Sequence, residues 1–233
     1  MKRHLTLSVI MGLLAWGNSV AKANLLSNGN LDNISVSGQV LATPTGWIAA
    51  ANRSSTGPFN DGLSSEGFAN VADPGGYGVF FKPFQGQTTN KITASLSQDN
   101  AGTPGLNYTL TGWAGAGASY IGLTDPTVKS EFHLEFFDSA NNLLADTSFN
   151  LAPGLAVPNA NPFNYKQYTL SAIAPAGTAT VRSLATMVDA YGNPAGGDQA
   201  FVVDVFDLEV PEPSAISLSI IGLGALIASR RRR

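Results

Sequence analysis

Cysteine is absent from all 233 residues. That removes disulfides, a thiolate nucleophile and any cysteine-ligated metal, so the body of the protein has to be held by its core. Positive charge is scarce as well. Of 13 lysines and arginines, Lys2, Arg3, Lys22 and Arg230 to Arg233 lie at the two ends, leaving six against 16 acidic residues, all between Asp32 and Glu212. A body near −10 at neutral pH argues against nucleic acid and anionic membrane surfaces, which are recognised by clustered Lys and Arg. Between the ends, no window keeps a helical period. Gly-x-Ser-x-Gly, His-Glu-x-x-His and phosphate-binding loops are all missing, and with them the common hydrolase and nucleotide-binding motifs.

What is present is most legible at the termini. Met1-Lys2-Arg3-His4 is a basic n-region, Leu5 to Trp16 an apolar h-region, and Ala21-Lys22-Ala23 places small residues where a signal peptidase needs them. Cleavage after Ala23 makes residues 1–23 a signal peptide and Asn24 the mature N-terminus. At the other end, Pro211-Glu212-Pro213 breaks the chain away from the body, since neither proline continues a strand or sits inside a helix. An uncharged run follows over 215–229, and then Arg230, Arg231, Arg232 and Arg233. The run spans roughly 22 Å as a helix, shorter than the ~30 Å hydrocarbon core. The arginines are a cytoplasmic anchor under the positive-inside rule. A plain tail anchor is the rival reading.

This three-part tail resembles the PEP-CTERM sorting signal of exopolysaccharide-producing Gram-negative bacteria. The resemblance implies recognition near Pro211, Glu212 and Pro213 by exosortase, a membrane protease. The route passes through an inner-membrane intermediate held by a transmembrane helix over 215–229, and ends at the cell surface or extracellular matrix. Signal peptidase and exosortase are then partners during export, and residues 210–233 form the sorting segment.

The body, 24–209, reads as all-β: short apolar runs cut by Gly, Asn, Pro and Ser. Leu106 to Trp113 alternates as a half-buried strand. Glu131 to Phe137 sets Phe132, Leu134 and Phe136 on one face against Glu131, His133 and Glu135 on the other. Asp138 to Asn142 is a turn into a return strand from Leu143. Tyr165 to Ile173, Thr178 to Val188 and Ala200 to Val210 are further strands. In the last of these, strict alternation puts Val203, Val205 and Asp207 opposite Val202, Asp204, Phe206 and Leu208. Arg53 to Asp61 and Ala190 to Asp198 read as loops.

Several landmarks resemble the jelly-roll β-sandwich of carbohydrate-binding modules, the galactose-binding-like fold. They are Asn24-Leu25-Leu26-Ser27-Asn28-Gly29, Pro44-x-Gly46-Trp47, Leu134-Glu135-Phe136-Phe137-Asp138, Ala174-Pro175-Ala176-Gly177-Thr178 and the closing Phe201 to Leu208. Leu31, Asn142 and Val205 depart from that pattern. The resemblance implies a non-enzymatic domain contacting exopolysaccharide or another glycan. It also implies a structural calcium held by Asp32 of the opening motif and Asp204 of the closing strand. Asp204 capping a turn or taking backbone hydrogen bonds is the competing assignment.

A sugar site needs flat rings plus polar groups for hydroxyls. Trp113, Tyr120 and Tyr191 are the candidate stacking residues, with Phe163 and Tyr165 also beside Asn-rich loops, and Trp47 is assigned to the core. His133 between Glu131 and Glu135 reads as a solvated strand face. The alternative function is an exported glycan hydrolase on the same scaffold, which would need two carboxylates about 5–9.5 Å apart in an open cleft.

Overall fold

The computed structural model describes residues 24–35, 44–54, 61–67, 76–194 and 196–210. The expectations for the signal peptide with Ala21 and Ala23, for Pro211 to Pro213, for the helix over 215–229 and for Arg230 to Arg233 lie outside the described residues. No helix among the described residues is long and apolar enough to cross a membrane.

Ten strands run in order as β1 (Ile48–Ala51), β2 (Asp61–Glu66), β3 (Gly78–Pro83), β4 (Ile92–Ala101), β5 (Asn107–Ala116), β6 (Lys129–Phe137), β7 (Leu143–Asn150), β8 (Lys166–Ile173), β9 (Thr180–Ala190) and β10 (Phe201–Glu209). They form two five-stranded sheets, ordered β1-β4-β9-β6-β7 and β2-β3-β10-β5-β8. Each strand pairing is antiparallel. Only β2–β3 and β6–β7 are joined within one sheet; the other connections cross between layers, as a two-layer sandwich requires. A single helical turn, α1 (Ala152–Leu155), follows β7.

Alternation builds the core. Along β6, Ser130, Phe132, Leu134 and Phe136 are buried while Glu131, His133 and Glu135 are half-buried on the other face. The inner faces meet in a ring cluster, with Phe206 5.2 Å from Trp47 and 5.1 Å from Phe132. Gly112 lies on this face of β5 because a Cβ there would come 2.6 Å from the Phe206 ring.

The opening segment closes on the last strand. Leu25 N–H donates to the Leu208 carbonyl at 2.8 Å, and Phe206 N–H to that of Gly29 at 2.7 Å. Leu31, where the family pattern has an aromatic, is fully buried in the core.

Strict alternation fails in β10. The register against β5 shifts between Asp204 and Asp207, and Val205 takes φ 41°. This bulge adds a residue to one strand. Val203, Phe206 and Leu208 therefore share the core, whereas the uninterrupted pattern puts Val203 opposite the other two.

Candidate functional site

The outer face of the second sheet is built by β10, β5 and β8. Their registers align three rows: Glu209–Thr109–Ser171, Asp207–Thr111–Thr169 and Asp204–Trp113–Gln167. Gln167, Thr169 and Ser171 are exposed, and Thr109, Thr111, Trp113, Asp207 and Glu209 are half-buried. The hydroxyls of Thr109 and Ser171 lie 2.9 Å apart.

Beyond Trp113 the face is roofed. Gly115 carries the backbone of Phe163 directly above it, since a Cβ there would meet the Phe163 carbonyl oxygen at 2.6 Å. Under this roof Phe80, Tyr165, Ala200 and Val202 form a second buried cluster, with Trp113, Phe84 and Phe163 packed against it. Phe163 meets Phe80 edge-on at 5.6 Å. Phe163 and Asn164 hold φ 53° and 54°, a backbone region that is uncommon for bulky residues and recurs at ligand sites. The loop's asparagines hold it together. Asn159 Nδ2 donates to the carbonyls of Asn164 at 2.9 Å and Tyr165 at 3.0 Å, and Asn161 Nδ2 donates to that of Tyr165 at 3.0 Å. These amides brace the loop rather than face a ligand.

Of the three expected stacking rings, only Trp113 stands on this surface. Tyr120 is a correction: it is 1% exposed, its hydroxyl lies 2.8 Å from that of Ser130, and its ring stacks on Phe201 in the core. Burial pushes its hydroxyl pKa up. An alternating sequence shows that such a ring exists but not which way the preceding loop turns it. Tyr191 is half-buried against the main core, and its hydroxyl donates to Asp125 Oδ2 at 2.8 Å. That hydrogen bond is the chief cause of a raised Tyr191 pKa.

Asp32 and Asp204 are each engaged by the chain's own donors. Asp32 Oδ1 accepts the Tyr77 N–H at 2.6 Å and Oδ2 accepts the Asn30 amide at 2.5 Å. Asp204 is fully buried, with Oδ1 taking the Val205 N–H at 2.8 Å. Its charge is the second cause, after burial, of the raised Tyr165 pKa. Calcium takes 6–8 oxygens, and no group of three or more Asp, Glu or His able to hold a metal occurs among the described residues.

The outer face of the first sheet carries a cluster of charged side chains. Arg182 donates to Asp99 from Nε at 2.6 Å and from a terminal nitrogen at 2.9 Å, with Glu135 at 3.6 Å on its other side. His133 lies 3.1 Å from Asp146, 3.2 Å from the Thr186 hydroxyl and 3.6 Å from Glu131. Burial raises the Glu135 pKa, against a lowering by Arg182. This is a charge ladder across β4, β9, β6 and β7, and its members hold one another.

The end of the sandwich between the β5–β6 loop and α1 carries a cleft of about 300 Å³. Leu123, Pro126, Val128 and Pro153 contribute its apolar lining, and Thr124, Asp125, Lys129 and Asn150 its polar one.

Carbohydrate-binding-module β-sandwiches are among the structural neighbours of this chain. Family 16 carbohydrate-binding module 2 is 15% identical with a TM-score of 0.48, covering 79% of this chain and 99% of its own. TmCBM61, solved in complex with β-1,4-galactotriose, is 14% identical with a TM-score of 0.45, covering 80% and 97%. The enzymatically active domain of bacteriophage CBA120 tailspike protein 4 is 13% identical with a TM-score of 0.50. It covers 80% of this chain, which spans 21% of the tailspike chain, and at that identity the likeness is one of fold alone. No curated protein matches the chain. Residues 209–233 match the PEP-CTERM protein-sorting motif. That motif implies exosortase processing, export and a cell-surface or extracellular destination.

Proposed function

We propose that this is an exported, exosortase-sorted matrix protein of a Gram-negative bacterium that associates with exopolysaccharide or another glycan without catalysing a reaction. Signal peptidase removes residues 1–23. The short helix over 215–229 and the arginines hold an inner-membrane intermediate, and cleavage near Pro213 releases the body.

The observation that supports glycan contact is the open half of the second sheet's outer face, where hydroxyl, amide and carboxylate side chains end at half-buried Trp113. Trp113, half-buried and packed against the second buried cluster, offers its remaining apolar surface to sugar C–H groups. The Thr, Ser and Gln side chains beside it suit hydroxyls.

Binding of the mature protein to the host exopolysaccharide tests this, with reducing-sugar release followed in parallel. Binding without release is expected, weakened on the order of tenfold or more by Trp113→Ala. Release of sugar would favour the hydrolase reading, and unchanged binding by Trp113→Ala would remove this face. Mass spectrometry of the extracellular form should end near Pro213; an intact Arg233 would refute the sorting step.

A further inference from the structure

Four of the six cationic side chains in the body are committed. Arg53 pairs with Asp61 at 2.9 Å, Lys82 with Glu66, and Arg182 with Asp99 at 2.6 Å, while Lys166 donates to the Gly154 carbonyl at 2.5 Å. The side chains of Lys91 and Lys129 make no hydrogen bond or ion pair with any described residue. Of the two, Lys129 lines the end cleft.

The cleft around it suits a small ring. Its volume of about 300 Å³ is at the lower end of small-molecule sites. Leu123, Pro126, Val128 and Pro153 offer apolar lining, and Thr124 and Asn150 a hydroxyl and an amide beside it. The one carboxylate there, Asp125, is occupied. Its Oδ1 accepts the Thr127 N–H at 2.8 Å and hydroxyl at 2.7 Å, and its Oδ2 accepts the Tyr191 hydroxyl. Three donors therefore hold Asp125 in place as a brace for the loop.

We infer that this cleft binds a carboxylate-bearing pyranose, a hexuronate residue of an acidic glycan, with its carboxylate on Lys129. The body's overall negative charge does not forbid this, because charges beyond about 8–10 Å are largely screened at physiological salt. Within the cleft the one carboxylate, Asp125, is already taken by three donors and also faces the charge of Lys91, which leaves Lys129 as the lining group open to an anion. The inference adds a second, chemically distinct contact to the glycan reading and names the sugar class that the sheet face leaves open.

Galacturonate and glucuronate, their methyl esters, and galactose and glucose are titrated into the mature protein by NMR or calorimetry. Wild type should bind the acids, and the neutral esters at least about tenfold more weakly, the loss expected for a charge-assisted hydrogen bond. Lys129→Gln should lose that preference, and Lys129→Arg should keep most of it. Equal binding of acid and ester, or of wild type and Lys129→Gln, overturns the inference. Failure of both acids to bind overturns it too. If the exopolysaccharide still binds in a Trp113-dependent way, the sheet-face reading survives that failure.

Discussion

Lys82 and Glu66 form an ion pair inside the second sheet, 2% and 4% exposed, and the consequence of breaking it can be worked through. Glu66→Gln keeps the shape and the acceptor for the Ser64 hydroxyl, which lies 2.6 Å from Glu66 Oε1, but removes the charge. The Lys82 ammonium is then buried without its counterion, which destabilises by about 3–5 kcal/mol. The Phe80 and Phe84 rings, with centroids 5.7 and 5.8 Å from Nζ, face the ammonium in wild type and variant alike, so their attraction cancels in the difference and the lower figure is the conservative one. For a domain of this size, about 3 kcal/mol corresponds to a Tm lowered by roughly 6–12 °C. Urea unfolding of the mature protein, read by tryptophan fluorescence, gives the difference directly. The double variant Glu66→Leu with Lys82→Met removes both charges and should come within about 1 kcal/mol of wild type or exceed it. A single Glu66→Gln variant within about 0.5 kcal/mol of wild type would refute the burial argument, and so would a double variant worse than the single one.

Two further outcomes are expected. Asp138 caps the β6–β7 turn, its carboxylate accepting the Asn142 side-chain amide at 2.9 Å and the N–H groups of Asn142 and Ala140 at 2.8 and 2.9 Å. The Asn142 side chain is the chief cause of its lowered pKa. A carboxylate held below its unfolded value contributes stability above that value, about 4, and the contribution is lost as pH falls through the folded value. The acid limb of a stability–pH curve should therefore flatten in Asp138→Ala, and an identical limb in both proteins would refute the cap. Calcium should leave the Tm unchanged, since Asp32 and Asp204 are each engaged by the chain's own donors. A Tm raised by calcium and lowered again by EGTA, through Asp204, would show that the two carboxylates are ligands after all.

How much of this could be read in the sequence varied with contrast. Where one sheet face is buried and the other wet, alternation gave the strand and its faces: Glu131 to Phe137, its turn and its return partner match β6 and β7, and Tyr165 to Ile173 matches β8 within a residue. Trp47 after Gly46 was legible as a core ring and is buried on Phe206. β2, β3 and β4 gave no such signal. DGLSSE and GVFFKP are buried along their whole length, so period-2 contrast vanishes, and Ala–Ser alternation in β4 carries little hydrophobic difference.

The sequence by itself determined the sorting motif at the C-terminus, the all-β class, the acidic charge of the body and the absence of common catalytic motifs, because each rests on local composition or on residues adjacent in the chain. Tertiary structure alone decided which charges are buried in pairs, where β10 bulges, that Tyr120 turns inward while Trp113 stays at the surface, and that Lys129 is left unpaired beside a cleft. Each of these depends on strands far apart in the chain being brought within hydrogen-bonding distance. Glu66 meets Lys82 only because β2 pairs with β3, and Lys129, Asn150 and Pro153 line one cleft only because the start of β6 pairs with the end of β7.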